Sequence, residues 1–170
     1  MTPTFKKILM ATDFGPESAL ALRTSASLAR QLAASTHLLH VVKDPILAVS
    51  TPELYGIDWQ RLRDDMVDQA RQTLIARALS LPDLRVTTEA VVGSPAEAIA
   101  NTAKEIGADL IVMGTHGRGG VGHLLIGSVA ERVIRLASCP VMTVRGSGAV
   151  HVKPGEGATG EQTAAARVGR

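Results

Sequence analysis

The sequence predicts an α/β protein built on a parallel sheet with helices on both faces. Three observations carry that expectation. Five short apolar runs are separated by four longer stretches with helical spacing or caps. Proline, glycine or serine punctuates most of the junctions. One strand-like run, Asp109-Leu-Ile-Val-Met113, feeds a glycine-dense loop that opens into a helix, a layout suited to holding an anion.

Taken in order, Ile8 to Thr12 is a short apolar run suited to a buried parallel strand. It ends in Asp13-Phe-Gly-Pro16, and Pro16 suits the first position of a helix. Leu20, Leu22, Leu28, Ala29 and Leu32 then form an apolar stripe at roughly helical spacing. Thr36 to Val42 is the second strand. Lys43 to Asp58, with Pro45 and Pro52, is a longer connection placed to form part of a site wall.

Trp59, Leu62, Met66, Ala70 and Leu74 mark a second helix, stopped by Ser80-Leu-Pro-Asp83. Val86 to Val92 is the third strand. Ser94-Pro-Ala-Glu97 is a capping box, in which Ser94 caps an amide of the third helix and Glu97 reaches back. That helix is expected to run to Ile106 and stop at Gly107. Asp109 to Met113 is the fourth strand, and Ser128-Val-Ala-Glu131 reads as a second capping box opening the last helix. Pro140 to Arg145 is the fifth strand. Residues 1–145 are expected to form the domain, and 146–170, with almost no large apolar residues, a disordered tail.

Composition narrows the classes of function. At 170 residues, with 45% apolar and 20% charged residues, the chain fits one soluble globular domain. Eighteen Lys and Arg against 16 Asp and Glu make a weak field, and 2% aromatics are too few for a base-stacking platform. Nucleic acid is therefore not an expected partner. Cys139, the sole cysteine, excludes an internal disulfide and reads as a small core residue. No run approaches the ~18 apolar residues of a membrane span, and Asp13 and Pro16 cut short the one that resembles a signal peptide. The expected setting is cytoplasmic.

The loop from Gly114 to Glu131 admits three glycine patterns. Gly117-Arg-Gly-Gly-Val-Gly122 fits a dinucleotide fingerprint, but it follows the fourth strand and no acid stands about 20 residues on. A Walker A loop would need Gly-Lys-Ser/Thr where His123 and Leu124 stand. The third pattern is Gly114-x2-Gly117-x9-Gly127-Ser128.

With that pattern the chain resembles the nucleotide-binding branch of the universal stress protein family. Lys7-Ile-Leu-Met-Ala-Thr-Asp13, Leu38-Leu-His-Val-Val42, Gly93-Ser-Pro-Ala-Glu97 and Cys139-Pro-Val-Met-Thr-Val144 extend the likeness over residues 5–145. The resemblance implies a three-layer α/β/α open sandwich with a five-stranded parallel sheet in the order 3-2-1-4-5, the adenine nucleotide alpha hydrolase-like arrangement. In that order the winding reverses between strands one and four, where open α/β sheets bind ligands. Asp13 and Gly114 then stand on opposite lips of one crevice.

The resemblance also implies ATP as the ligand, with Mg or Mn allowed as its companion. By its pattern the contacts fall on Ala11, Thr12, Asp13, Val41, Met113, Gly114, His116, Gly117, Gly127, Ser128 and Val129. Val41 would meet the adenine edge through its backbone and Met113 would pack on the base. Gly117 and Gly127 suit close approach to phosphate, and Ser128 adds a hydroxyl at a helix start. Asp13 would accept from ribose or adenine, its alternative being a cap of the first helix. His37 and His40 face opposite sides of a strand and make a poor metal pair.

These residues bear on three functions. An ATP-binding stress or signalling module with at most slow hydrolysis fits best, because no lysine, base or arginine constellation for phosphoryl transfer is evident. A nucleotide-independent, chaperone-like adaptor with a vestigial site is the alternative, against which the intact glycine spacing stands. An enzyme cleaving ATP between its α and β phosphates would need a different loop after strand one. Strand five, as a sheet edge, points to a homodimer formed through it, and the family resemblance implies the same.

Overall fold

The computed structural model describes residues 5–45, 57–115, 127–145 and 150–153. In chain order the elements are β1 (Lys7–Ala11), α1 (Pro16–Leu32), β2 (Ser35–Val42), α2 (Trp59–Leu79), β3 (Val86–Val92), α3 (Pro95–Glu105), β4 (Leu110–Gly114), α4 (Ser128–Leu136), β5 (Val141–Val144) and β6 (Val150–Lys153). The first five strands are parallel and lie in the order β3-β2-β1-β4-β5. The expected topology is observed.

Helices on both faces explain why β1 and β4 read as unbroken apolar runs. Alternate residues go to opposite layers. Ile8, Met10, Leu38, Leu110 and Val112 pack with Ala21, Ala29 and Leu74, from α1 and α2. Leu9, Ala11, Leu39, Ile111 and Met113 pack with Ile99, Ala103, Ala130 and Val133, from α3 and α4. The buried face of α1 is made of Ser18, Ala21, Ser25, Ala26 and Ala29, small residues that let the helix lie close to the sheet. Gly107 follows α3 at φ +63°, in the left-handed conformation that glycine adopts most readily.

Two expectations need correction. The stripe on α2 is buried only at Ala70 and Leu74, whereas Leu62 and Met66 are exposed. A 21-residue helix is about 31 Å long and the seven residues of β3 span about 23 Å, so one end of α2 overhangs its strand. Strand five is also not a sheet edge. Val150–Lys153, assigned by composition to the tail, pairs antiparallel with β5. An exposed edge carries unpaired N–H and C=O groups, and the valines at positions 150 and 152 suit a strand that satisfies them.

Candidate functional site

The carboxyl ends of β1 and β4 meet at the point where the winding of the sheet reverses. The chain leaving β1 is held by its own short polar side chains. Thr12 Oγ1 accepts from the Phe14 N–H (3.0 Å) and donates to Ser18 Oγ (3.1 Å), which donates in turn to the Gly15 carbonyl (2.9 Å). Asp13 Oδ1 accepts from the Gly15 N–H at 3.0 Å. Phe14 sits at φ +64°, a left-handed conformation costing a non-glycine residue about 1–2 kcal/mol. It stacks on the His40 ring at 4.3 Å, and His40 Nδ1–H donates to the Thr12 carbonyl at 2.7 Å. The strain is thus held in place from β2.

The consequence is the placement of Asp13. Gly15 is the N-cap of α1, so Asp13 is not the helix cap that its alternative reading supposed. Its Oδ1 is used by the loop, while its Oδ2 is buried with no hydrogen-bond partner among the described residues. A buried, unmatched carboxylate oxygen is costly unless something donates to it.

The other lip is built by β4. A Cβ at Gly114 would lie 3.1 Å from Glu17 Cβ and 3.2 Å from both the Glu17 carbonyl carbon and Ser18 N, so glycine there lets β4 end against the first turn of α1. Thr115 follows, almost fully buried, and donates its hydroxyl to Glu17 Oε2 at 2.9 Å. The Thr115 carbonyl accepts from the Gly127 N–H at 2.7 Å, which starts α4 directly on the end of β4.

Gly127, not Ser128, is the N-cap of α4, and no side chain caps it. The expected second capping box is therefore absent. The bond from Gly127 to Thr115 fixes the entry of the chain, leaving Ser128 exposed on the first turn. The first amides of a helix have no intrahelical acceptor and carry partial positive charge. The box at Ser94 is altered too: Ser94 is the N-cap of α3, but its hydroxyl donates to the Glu97 carboxylate. That bond, followed by a backbone hydrogen bond and the nearby Arg132 guanidinium, holds the Glu97 carboxyl below its ordinary range and ties α3 to α4.

An apolar floor completes the crevice. Ala11 and Met113 are register partners, each 6% exposed, and Val41 and Val129 pack half-buried on the same layer. Leu39 directs its carbonyl toward β1, accepting from the Thr12 N–H at 2.9 Å. Backbone groups two residues on point to the same side of a strand. Val41 therefore aims its peptide groups at the side that β1, ending at Ala11, has vacated.

Ala11, Thr12, Asp13, Val41, Met113 and Gly114 are brought to this end of the sheet, with Gly127, Ser128 and Val129 at the start of α4 tied to it. His116 and Gly117 lie outside the described residues. Sequence reasoning missed Glu17 and Thr115, whose bond spans 98 positions, and the supporting pair Phe14 and His40. Cys139 is a buried free thiol whose pKa is raised, chiefly by burial, which keeps it protonated and unreactive. Among the described residues there is no group of three or more His, Cys, Asp or Glu placed to hold a metal ion, and no helix long and apolar enough to cross a membrane.

A cavity of about 330 Å³ lies elsewhere, at the amino ends of β1, β2 and β3, lined by Lys7, Ser35, His37, Arg85 and Thr87 among others. Most of its polar groups answer one another, the exception being Thr36 Oγ1, a buried hydroxyl without a partner among the described residues. His37 meets Thr87 Oγ1 (2.8 Å) and Glu89 Oε2 (3.0 Å), Lys7 Nζ donates to the Ile106 carbonyl (2.6 Å), and Arg85 to the Ala33 carbonyl (3.2 Å).

Known proteins share this architecture. A model of the universal stress protein family matches residues 4–145. The universal stress protein YxiE of Bacillus subtilis is 32% identical over 151 residues, covering 83% of this chain and 99% of that protein. The solved structure of MJ0577, a protein of Methanocaldococcus jannaschii, superposes with a TM-score of 0.72 at 31% identity, over 84% of this chain and 96% of that one. A universal stress protein from Archaeoglobus fulgidus in complex with dAMP shares the fold at a TM-score of 0.58 and 23% identity, over 82% and 98% of the two chains.

Proposed function

The chain belongs to the universal stress protein family, and we propose that it is an ATP-binding module of stress response or signalling, with ATP held at the β1/β4 crevice. The observation that carries this reading is Asp13 Oδ2, a buried carboxylate oxygen without a partner among the described residues. A ribose hydroxyl is a neutral donor that satisfies it. Adenine fits against Ala11 and Met113, with the Val41 peptide groups reading its edge. The phosphates belong at the first turn of α4, where Gly127 admits close backbone approach and the Ser128 hydroxyl adds a donor. His116 and Gly117 complete the set by the family pattern.

A magnesium or manganese ion would arrive on the triphosphate oxygens, since such ions bind through few protein ligands plus substrate phosphates. Hydrolysis is at most slow in this reading. Glu17 already accepts the Thr115 hydroxyl, Glu131 on the first turn of α4 pairs with Arg135, and the sequence places His123 and Leu124 where a Walker A loop has its lysine and hydroxyl. Within this reading the family domain is 1–145, extended at its sheet edge by β6, and works in the cytoplasm.

Calorimetric titration of the purified protein with ATP tests the reading. Saturable binding, weakened in an Asp13→Asn variant, supports it; heat of dilution alone up to millimolar nucleotide removes it.

A further inference from the structure

The outer edge of β5 and the strand lying on it carry a second consequence. The edge takes β6 antiparallel, in the register Val141↔Lys153, Met142↔Val152, Thr143↔His151 and Val144↔Val150. Every other neighbouring pair in the sheet is parallel. Antiparallel addition is what a two-fold axis imposes when identical strands from two copies pair side by side, because the axis reverses strand direction. The edge that accepts β6 is thereby shaped to accept β5 of a second copy, and both strands compete for the same N–H and C=O groups.

We propose that β6 is an intramolecular cap that occupies the place of a second copy's β5 and so sets whether this chain self-associates. Only residues 145–149 separate β5 from β6. A tether that short gives an effective concentration of about a millimolar, so a second copy at micromolar concentration loses the competition by roughly a thousandfold. The cap is nevertheless displaceable. It is four residues long, Val152 remains 53% exposed, and β6 pairs on one side only. A partner, a modification or a cut acting on residues 146–170 would then convert a capped monomer into an edge-paired dimer, at an edge one strand removed from the Gly114 lip of the crevice.

Adjacent residues of a strand point their N–H groups to opposite edges, so a His151→Pro/Val152→Pro double variant removes a donor to β5 whichever register face it uses. Sedimentation velocity across a concentration series should show the full chain monomeric at micromolar concentration. The double variant, and separately a chain ending at Arg145, should dimerise at a concentration at least ~10-fold lower than the full chain, in keeping with release of a tethered competitor. A synthetic peptide of residues 148–155 should return both variants to monomer. Two results overturn the proposal: variants that keep their fold by circular dichroism yet stay monomeric, or a full chain that dimerises as tightly as they do.

Discussion

The two ends of the sheet are both polar, and they differ in what is left over. At the amino end, Asp109 Oδ2 accepts from the Lys6 and Lys7 N–H groups at 2.8 and 2.9 Å, Lys7 Nζ reaches the Ile106 carbonyl, and His37 is held between Thr87 and Glu89. That end has the cavity and the charge. The amino end leaves a neutral hydroxyl unmatched, Thr36 Oγ1, whereas the carboxyl end leaves a carboxylate oxygen unmatched, Asp13 Oδ2, and starts α4 without a side-chain cap. The difference teaches that an unmatched carboxylate oxygen, costlier to bury than an unmatched hydroxyl, marks the candidate site better than cavity volume does. A self-satisfied cluster stabilises the fold, whereas an unsatisfied one is costly to keep unless a ligand answers it.

The comparison breaks most forcefully at Gly114. A Gly114→Val change pushes side-chain atoms into the Glu17 and Ser18 backbone, with an expected loss of about 1–3 kcal/mol in urea unfolding and no detectable ATP binding. Retained binding would show that the closeness of β4 and α1 does not shape the site. Asp13→Asn keeps the size and one carbonyl acceptor for the Gly15 N–H. It is expected to lower ATP affinity about tenfold or more, the scale of a hydrogen bond to a charged group, with stability changed by less than about 1 kcal/mol.

His37→Ala, at the opposite end, should do the reverse. It leaves Thr87 and Glu89 without their shared partner and lowers stability by about 1 kcal/mol, while ATP affinity remains that of the parent. The smallest effect is on pH. Glu97 has its folded pKa lowered, principally by the Ser94 hydroxyl, so its contribution is present above the unfolded value near 4.5 and is lost as pH falls through the folded one. Glu97→Gln should flatten that acid limb of the stability curve and leave neutral-pH nucleotide binding unchanged.

Much of this was legible from residue patterns. Alternating apolar runs and helical stripes implied the layers, Pro16 and Gly107 marked helix ends, and the Gly114 and Asp13 positions fell at the carboxyl ends of β1 and β4 as expected. The misses share a physical cause, namely competition from partners distant in sequence. Ser128 lost its capping role because the Thr115 carbonyl fixes Gly127, and Ser94 spends its hydroxyl on Glu97. Gly114 read as a ligand-contacting glycine of the motif, while its steric reason is the first turn of α1, about a hundred positions earlier. β6 was hidden in a tail of low apolar content, since an edge-added strand needs backbone groups to pair with more than it needs a core.

The most direct measurement is calorimetric ATP titration run in parallel on the parent, Asp13→Asn and His37→Ala. The account predicts saturable binding by the parent and by His37→Ala with equal affinity, and about tenfold or more weaker binding by Asp13→Asn. No saturable binding by the parent at millimolar ATP, or equal affinities in all three, would contradict it.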